Sequence, residues 1–123
     1  MKLRIRGNSL RLRLLQSELA AFVRNGKISE QIGFGNAALT YTLVAANDAE
    51  TISAKFADNE ITVAVPAAVA EKWAAGDQTS LEAVQNTGHD GSLTILIEKD
   101  FVCVTRADDP DNKDAFPNPN VNC

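Results

Sequence analysis

Two runs of alternating apolar and charged residues open the chain, one on each side of the pair Gly7-Asn8. The first run spans residues 2–6 and the second spans residues 10–14, with Leu or Ile at every second position. This period of two is typical of a β-strand with one buried face, and Gly-Asn is a common pair in tight hairpin turns. The sequence therefore predicts an N-terminal β-hairpin with an apolar face and a basic face.

A two-residue turn at Gly7-Asn8 also predicts the register of this hairpin. Counting outwards from the turn, Arg4 lies opposite Arg11 and Lys2 lies opposite Arg13. Like charges placed directly opposite each other destabilise a sheet, so something must offset this repulsion.

Three explanations are open for the offset. The long side chains can spread apart in water, where salt screens their charges. The acidic segment 108–114 can instead lie across the basic face, or an external anion can bind there, since Arg suits bidentate contacts with oxyanions. The candidate anion-binding or tail-binding residues are Lys2, Arg4, Arg6, Arg11 and Arg13.

Two short helices are predicted from apolar spacing and from stop signals. The first covers residues 17–25, with Ser17 as its N-cap and Gly26 as its stop. The second covers residues 67–75 after Pro66, with Val69 and Trp73 on its buried edge. A single Trp on a helix face beside small residues indicates a core position.

The remaining segments predict strands at 28–34, 39–43, 80–85 and from residue 93 onwards, and a second hairpin over 51–65. A turn at Asp58-Asn59 in that hairpin pairs Phe56 with Ile61, which places the apolar residues of both strands on one face. We expect an α+β fold, with about seven to eight mostly antiparallel strands in a curved sheet or open barrel and two short helices. No internal repeat is visible in the sequence.

Charge divides the chain unevenly. The net charge is −4, but residues 1–27 hold seven bases and one acid, whereas the other 96 residues hold five bases and fifteen acids. We expect one α+β domain over residues 1–106, followed by an acidic, Pro- and Asn-rich tail over 107–123 that is able to dock on the domain. The acidic balance argues against nucleic acid as a partner and favours the protein's own tail or another anionic partner.

Catalytic and cofactor motifs are absent from the sequence. Its two cysteines, Cys103 and Cys123, form no CxxC pair, and we expect two free thiols, although a bridge between them is possible. The aspartates of the tail lack the Gly and Glu of a calcium loop, so we expect no metal and no cofactor. Charges interrupt the N-terminal apolar residues and no run approaches ~20 apolar residues, which predicts a cytoplasmic protein without a membrane span.

These features predict a small non-enzymatic binding module with a basic hairpin face. The alternative is a small enzyme whose hairpin arginines hold an anionic substrate while Glu30 or Tyr41 acts as the acid or base. No residue is predicted to be catalytic, because no nucleophile or metal ligand set accompanies these two.

A resemblance to a family extends over nearly the whole chain. It is carried by the opening Lys2-Leu-Arg-Ile-Arg-Gly-Asn-Ser-Leu-Arg-Leu-Arg-Leu, by Leu39-Thr-Tyr-Thr-Leu, and by the C-terminal Glu98-Lys-Asp-Phe-Val-Cys and Asp114-Ala-Phe-Pro-Asn-Pro. In these segments the chain resembles a family of small uncharacterised bacterial proteins, a domain of unknown function. The resemblance implies that the hairpin and the C-terminal end belong to the same unit as the core, and it implies no activity.

Overall fold

The computed structural model describes residues 1–89 and 91–101, and these form eight strands and two helices. The predictions for the two cysteines, for the acidic segment 108–114 and for the C-terminal tail concern residues outside this range. In chain order the elements are β1 (Lys2–Arg6), β2 (Ser9–Leu14), α1 (Gln16–Asn25), β3 (Lys27–Gly33), β4 (Ala38–Ala46), β5 (Ser53–Ala57), β6 (Glu60–Pro66), α2 (Ala67–Ala75), β7 (Ser80–Gly88) and β8 (Gly91–Lys99).

The strands form two mixed sheets of four strands each. The first sheet has the order β1-β2-β8-β7, and the second has the order β3-β4-β6-β5. All four hairpins are antiparallel, whereas β2 pairs with β8 and β4 pairs with β6 in parallel. The predicted α+β class and strand number are confirmed, and the strands form two sheets that are not closed into a barrel.

Both predicted hairpin registers are confirmed. Arg4 lies opposite Arg11 in β1 and β2, and Phe56 lies opposite Ile61 in β5 and β6. Gly7 adopts a positive φ of 53° in the first turn, which costs glycine little because it has no Cβ. The registers could be predicted because turn length and apolar alternation give the same answer at each hairpin.

The order of elements repeats once along the chain. Two strands, a helix and two strands in residues 2–46 are followed by the same order in residues 53–99. Each sheet takes one hairpin from each half, because β1 and β2 join β7 and β8, whereas β3 and β4 join β5 and β6. The repeat is one of structure and not of sequence, since the halves share turn positions and strand registers rather than residue identities.

The registers of the two halves correspond residue by residue in their first hairpins. Lys2 pairs with Arg13, and Ser53 and Ala64, each 51 positions later, form the matching pair in β5 and β6. In the parallel pairings, Ser9 of β2 lies beside Thr94 of β8, and Glu60 of β6 lies beside Thr40 of β4. Strand β6 therefore takes the place of β2 with a spacing of 51 positions, and β4 takes the place of β8 with a spacing of 54. The molecule therefore has an internal two-fold relationship that exchanges its two sheets.

One hydrophobic core receives side chains from both sheets and both helices. Phe22 on α1 and Trp73 on α2 occupy equivalent positions, 51 residues apart, and each is only 1% exposed. The prediction of Trp73 as a core residue is thus confirmed. The side chains with the lowest exposure are those of Leu12, Leu14, Phe22, Leu43, Val63, Val65, Trp73, Ile95 and Ile97.

Helix α1 begins at Gln16, and Leu15 rather than the predicted Ser17 takes the N-cap position. The side chain of Glu18 compensates, because its Oε1 accepts a hydrogen bond of 2.8 Å from the Leu15 N–H. Gly26 ends the helix as predicted, in the left-handed conformation with φ of 73°.

Helix α2 covers the predicted range, but one of its predicted core residues is wrong. Val69 is 39% exposed, whereas Ala70 is 4% exposed and lies on the buried side three positions before Trp73. The small Ala70 is equivalent to Leu19 of α1. The pattern of residue size thus misled the prediction, because a small residue lies on the core side and a larger one lies towards solvent.

Candidate functional site

Five cationic side chains share the outer face of the first sheet. Along β2, Leu10, Leu12 and Leu14 are buried in the core, so the residues between them point to the opposite side. The antiparallel pairing extends this arrangement to β1. This surface, here called the basic face, consists of Lys2, Arg4, Arg6, Arg11 and Arg13.

Glu98 on β8 offsets part of the repulsion between these cations. Its Oε1 lies 3.1 Å from Nε of Arg11 and 3.2 Å from Nε of Arg13. The parallel pairing of β2 with β8 places Glu98 beside Arg13. All three side chains are partly buried, so water screens this contact less than it would screen a fully exposed ion pair.

Asp100 provides the second acid at the basic face. Its Oδ2 accepts a hydrogen bond of 3.1 Å from Nζ of Lys2, and its backbone N–H donates to the Leu14 carbonyl at 2.8 Å. The Asp100 side chain is 11% exposed, whereas that of Lys2 is 72% exposed. The chain segment after β8 is therefore held beside β1 and β2.

Neither acid was among the three explanations that the sequence left open. Glu98 and Asp100 are two positions apart, but the local sequence does not show which strand lies next to them. That information comes from the parallel pairing of β2 with β8, whose residues are about 85 positions apart in sequence. The five predicted site residues lie together on one face, and their proposed ligand remains a prediction.

A second polar cluster surrounds the α-ammonium group of Met1. This nitrogen donates a hydrogen bond of 2.8 Å to Oε1 of Glu30 on β3 and also forms an ion pair with Oε2 of Glu18 on α1. The hydroxyl group of Tyr41 on β4 donates to the Met1 carbonyl oxygen at 3.0 Å. Two carboxylates and one phenol therefore fix the first residue of the chain, whose side chain is fully buried.

The register explains why Glu30 comes to this cluster. Glu30 lies directly opposite Tyr41 in a continuous β3–β4 pairing, so it is a partly buried acid and no bulge turns it away. Burial raises the pKa of Tyr41 above its ordinary value of 10.0, and the negative charge of Glu30 raises it further. A phenol that keeps its proton is better suited to donate a hydrogen bond than to act as a general base.

The two acid–base candidates and the basic face therefore belong to different parts of the molecule. Glu30 and Tyr41 lie in the second sheet and bind the backbone of Met1, whereas Arg11 and Arg13 lie in the first sheet and bind Glu98.

The described part of the chain contains no group of three or more His, Cys, Asp or Glu side chains placed to hold a metal ion. His89 lies in the β7–β8 turn with a positive φ of 47°. Within residues 1–89 and 91–101, neither helix has the length and apolar character needed to cross a membrane.

Comparison with known proteins gives a family and no activity. No curated protein and no solved structure matches the chain. The model of DUF7009, a family of unknown function, matches residues 1–120 and so includes both the N-terminal hairpin and the C-terminal segment that carry the resemblance. The chain therefore belongs to the DUF7009 family.

Proposed function

We propose that this protein is a non-enzymatic binding module whose basic face binds a carboxylate-rich polypeptide segment. The observation that carries the proposal is the contact of Arg11 and Arg13 with a single oxygen of Glu98, at 3.1 and 3.2 Å. Two guanidinium groups thus already hold a carboxylate on this face. Charge-assisted hydrogen bonds of this kind are roughly twice as strong as neutral ones.

The concentration of positive charge in one part of the chain supports an acidic ligand. Residues 1–27, which include the basic face, hold seven bases and one acid, whereas the other 96 residues hold five bases and fifteen acids. Positive charge concentrated on one face of an otherwise acidic molecule steers anionic groups towards that face.

A carboxylate-rich polypeptide fits this surface better than a nucleic acid does. Outside residues 1–27 the chain holds five bases and fifteen acids, so most of its surface repels a long polyanion. In addition, β2 is paired on both sides, with β1 and with β8, so its backbone N–H groups are engaged in the sheet and do not form a phosphate-binding nest. Recognition therefore depends on the side chains.

The acidic segment has two possible sources, the chain's own residues 108–114 or a separate acidic protein. The first source is supported by Asp100, whose bond to Lys2 holds the chain beside the basic face. The acidic segment begins only eight residues later. Four aspartates then follow within 108–114, against a single lysine. A tail bound in this way would compete with any external acidic partner.

The experiment compares the full chain with a variant in which Asp108, Asp109, Asp111 and Asp114 are all replaced by Asn. Backbone amide resonances of β1 and β2 are recorded for both, and each is then titrated with an oligo-aspartate peptide. If the tail is the ligand, the amides of the two proteins differ and the peptide binds the variant about tenfold or more tightly than the parent. If the ligand is a separate protein, the peptide binds both equally.

The control uses two variants with the same change in charge. Arg4→Gln combined with Arg6→Gln should weaken peptide binding about tenfold, whereas Arg24→Gln combined with Lys27→Gln, outside the basic face, should leave it nearly unchanged. Absence of any hairpin response to tail neutralisation and to the peptide would refute the proposal, as would an equal loss in both control variants.

A further inference from the structure

A pocket opens at the end of the strands opposite the two helices. The turns of the β1–β2 and β5–β6 hairpins lie at this end, because α1 and α2 begin where β2 and β6 finish. The pocket has a volume of about 340 Å³. Ile5 and Leu10 from the first sheet and Phe56 and Ile61 from the second line it, and it is called the mouth pocket below.

The internal two-fold relationship explains the apolar lining of the mouth pocket. Ile5 and Phe56 are 51 positions apart and equivalent in the two halves, and so are Leu10 and Ile61. In each half the two residues face each other across a hairpin, Ile5 opposite Leu10 and Phe56 opposite Ile61. The pocket therefore forms where the inner faces of the two sheets meet. Each sheet contributes one of the two equivalent apolar pairs to its lining.

Three polar side chains around the pocket are bonded within the protein. The amide of Gln85 donates to the Ala54 carbonyl at 2.9 Å and accepts from the Ala54 N–H at 2.7 Å. The side chains of Asn8 and Ser9 donate to backbone carbonyl groups. The remaining lining is mainly apolar, which favours a ligand without charge.

Lys55 also borders the pocket but does not change this conclusion. It lies between Ala54 and Phe56 on β5, and successive side chains on a strand point to opposite faces. Since Ala54 and Phe56 belong to the inner face, the side chain of Lys55 starts from the outer face of the second sheet, where the residue is exposed.

The size of the exposed apolar area indicates the class of ligand. At the edge of the pocket Ile5 is 62% exposed and Phe56 is 65% exposed. The exposed area of two such side chains is far smaller than the roughly 800 Å² per partner that a stable protein complex buries. A volume of about 340 Å³ instead lies at the lower end of the range of pockets that hold small molecules.

We infer that the mouth pocket binds a small, neutral, apolar molecule of aromatic or short aliphatic type. Binding removes the exposed parts of Ile5 and Phe56 from water and is stabilised by the apolar area that it buries. A carboxylate buried among Ile5, Leu10, Phe56 and Ile61 is disfavoured, because these apolar side chains remove water from the charge without replacing its hydrogen bonds.

The test is a methyl NMR titration of the full chain, labelled at its isoleucines, with indole, 1-octanol and octanoate as separate probes. Indole or 1-octanol should shift the methyl resonances of Ile5 and Ile61 saturably, while those of Ile28 and Ile97 stay in place. Octanoate should bind about tenfold or more weakly than 1-octanol.

A matched pair of phenylalanine variants gives the control. Phe56→Ala removes part of the pocket wall and should weaken the better probe about tenfold or more, whereas Phe34→Ala, at a residue that is 63% exposed and outside the pocket, should leave binding unchanged. Because both side chains are largely exposed, both variants should fold.

Four results would overturn the inference. They are no saturable shift with either neutral probe, equal shifts at all isoleucines, octanoate binding as tight as that of 1-octanol, and an equal effect of the two phenylalanine variants. A shift of Ile5 and Ile61 with protein concentration alone would also overturn it, since the occupant would then be a second copy of the chain.

Discussion

The hydroxyl group of Tyr41 donates a hydrogen bond of 3.0 Å to the carbonyl oxygen of Met1, which precedes it by 40 residues. Tyr41 belongs to the second sheet, whereas the strand that begins at Lys2 belongs to the first. The bond therefore links the two sheets on one side of the molecule, as the paired bonds between Gln85 and Ala54 do elsewhere.

Replacement of Tyr41 by Phe should lower the free energy of unfolding by about 1 kcal/mol, because the partly buried Met1 carbonyl loses its donor. Urea unfolding of the full chain measures this change. Gln31→Ala is the control, since the Gln31 side chain is exposed and makes a bond of only 3.5 Å, and it should stay within about 0.5 kcal/mol of the parent. Equal stability of Tyr41→Phe and the parent would contradict the prediction.

The stability of the protein should also depend on the ionisation of Tyr41 at high pH. The pKa of Tyr41 is raised above 10.0 in the folded protein, so below about pH 10 the phenol is neutral in both states and its contribution is fully present. As the pH rises from 10.0 through the folded pKa, the unfolded chain loses the proton first and stability falls. The Tyr41→Phe variant should lack the loss of stability that ionisation of this phenol causes.

Tyr41 is the only tyrosine of the chain, so its phenolate absorbance in the near ultraviolet reports this one residue. The folded protein should titrate at higher pH than the urea-unfolded chain. Glu30→Gln should bring the folded titration closer to 10.0, because the charge of Glu30 is the second cause of the raised pKa. Equal titration midpoints of Tyr41 in the folded and the urea-unfolded protein would contradict this prediction.

The two carboxylates around the Met1 ammonium group should differ in importance. Glu18 is 19% exposed and also bonds the Leu15 N–H, whereas Glu30 is 42% exposed. We expect Glu18→Gln to cost about 1–3 kcal/mol of stability and Glu30→Gln about 0–1 kcal/mol. Thermal unfolding of both variants measures these losses, and Glu71→Gln, at an exposed helix residue, is the control. A larger loss of stability for Glu30→Gln than for Glu18→Gln would contradict the prediction.

Glu98 should stabilise the first sheet through its contacts with Arg11 and Arg13. Glu98→Gln should lower stability by about 1 kcal/mol at low salt, and the loss should shrink as salt screens the remaining repulsion between the arginines. Glu82→Gln, at an exposed position on β7, is the control with the same chemical change. Equal losses in both variants, or a loss that salt does not alter, would argue against this role.

Local sequence determines the hairpins and most of the helix boundaries. At Gly7-Asn8 and Asp58-Asn59 the turn residues and the apolar alternation require the same register, so each pairing could be predicted residue by residue. Gly26 likewise ended α1 as expected, and α2 ended at Ala75, the last residue of its predicted range. The basic face follows directly from these registers.

The relationships between distant segments could not be predicted in this way. The position of Glu98 beside Arg13 depends on the parallel pairing of β2 with β8, and no local signal selects that partner. The Met1 cluster has the same difficulty, because no local signal places Glu30 beside Met1. The internal repeat was hidden because equivalent positions carry different residues, such as Phe22 and Trp73.

The exchange of hairpins between the halves has a consequence for how this fold originated. The first half supplies β1 and β2 to one sheet and β3 and β4 to the other, and the second half completes both sheets. A polypeptide of half this length would leave two incomplete sheets with exposed apolar faces, and a second copy, related by a true symmetry axis, would complete both. Fusion of two such genes would convert an intertwined homodimer into a single chain, whose halves would then be free to diverge, one towards an arginine-rich surface and the other away from it.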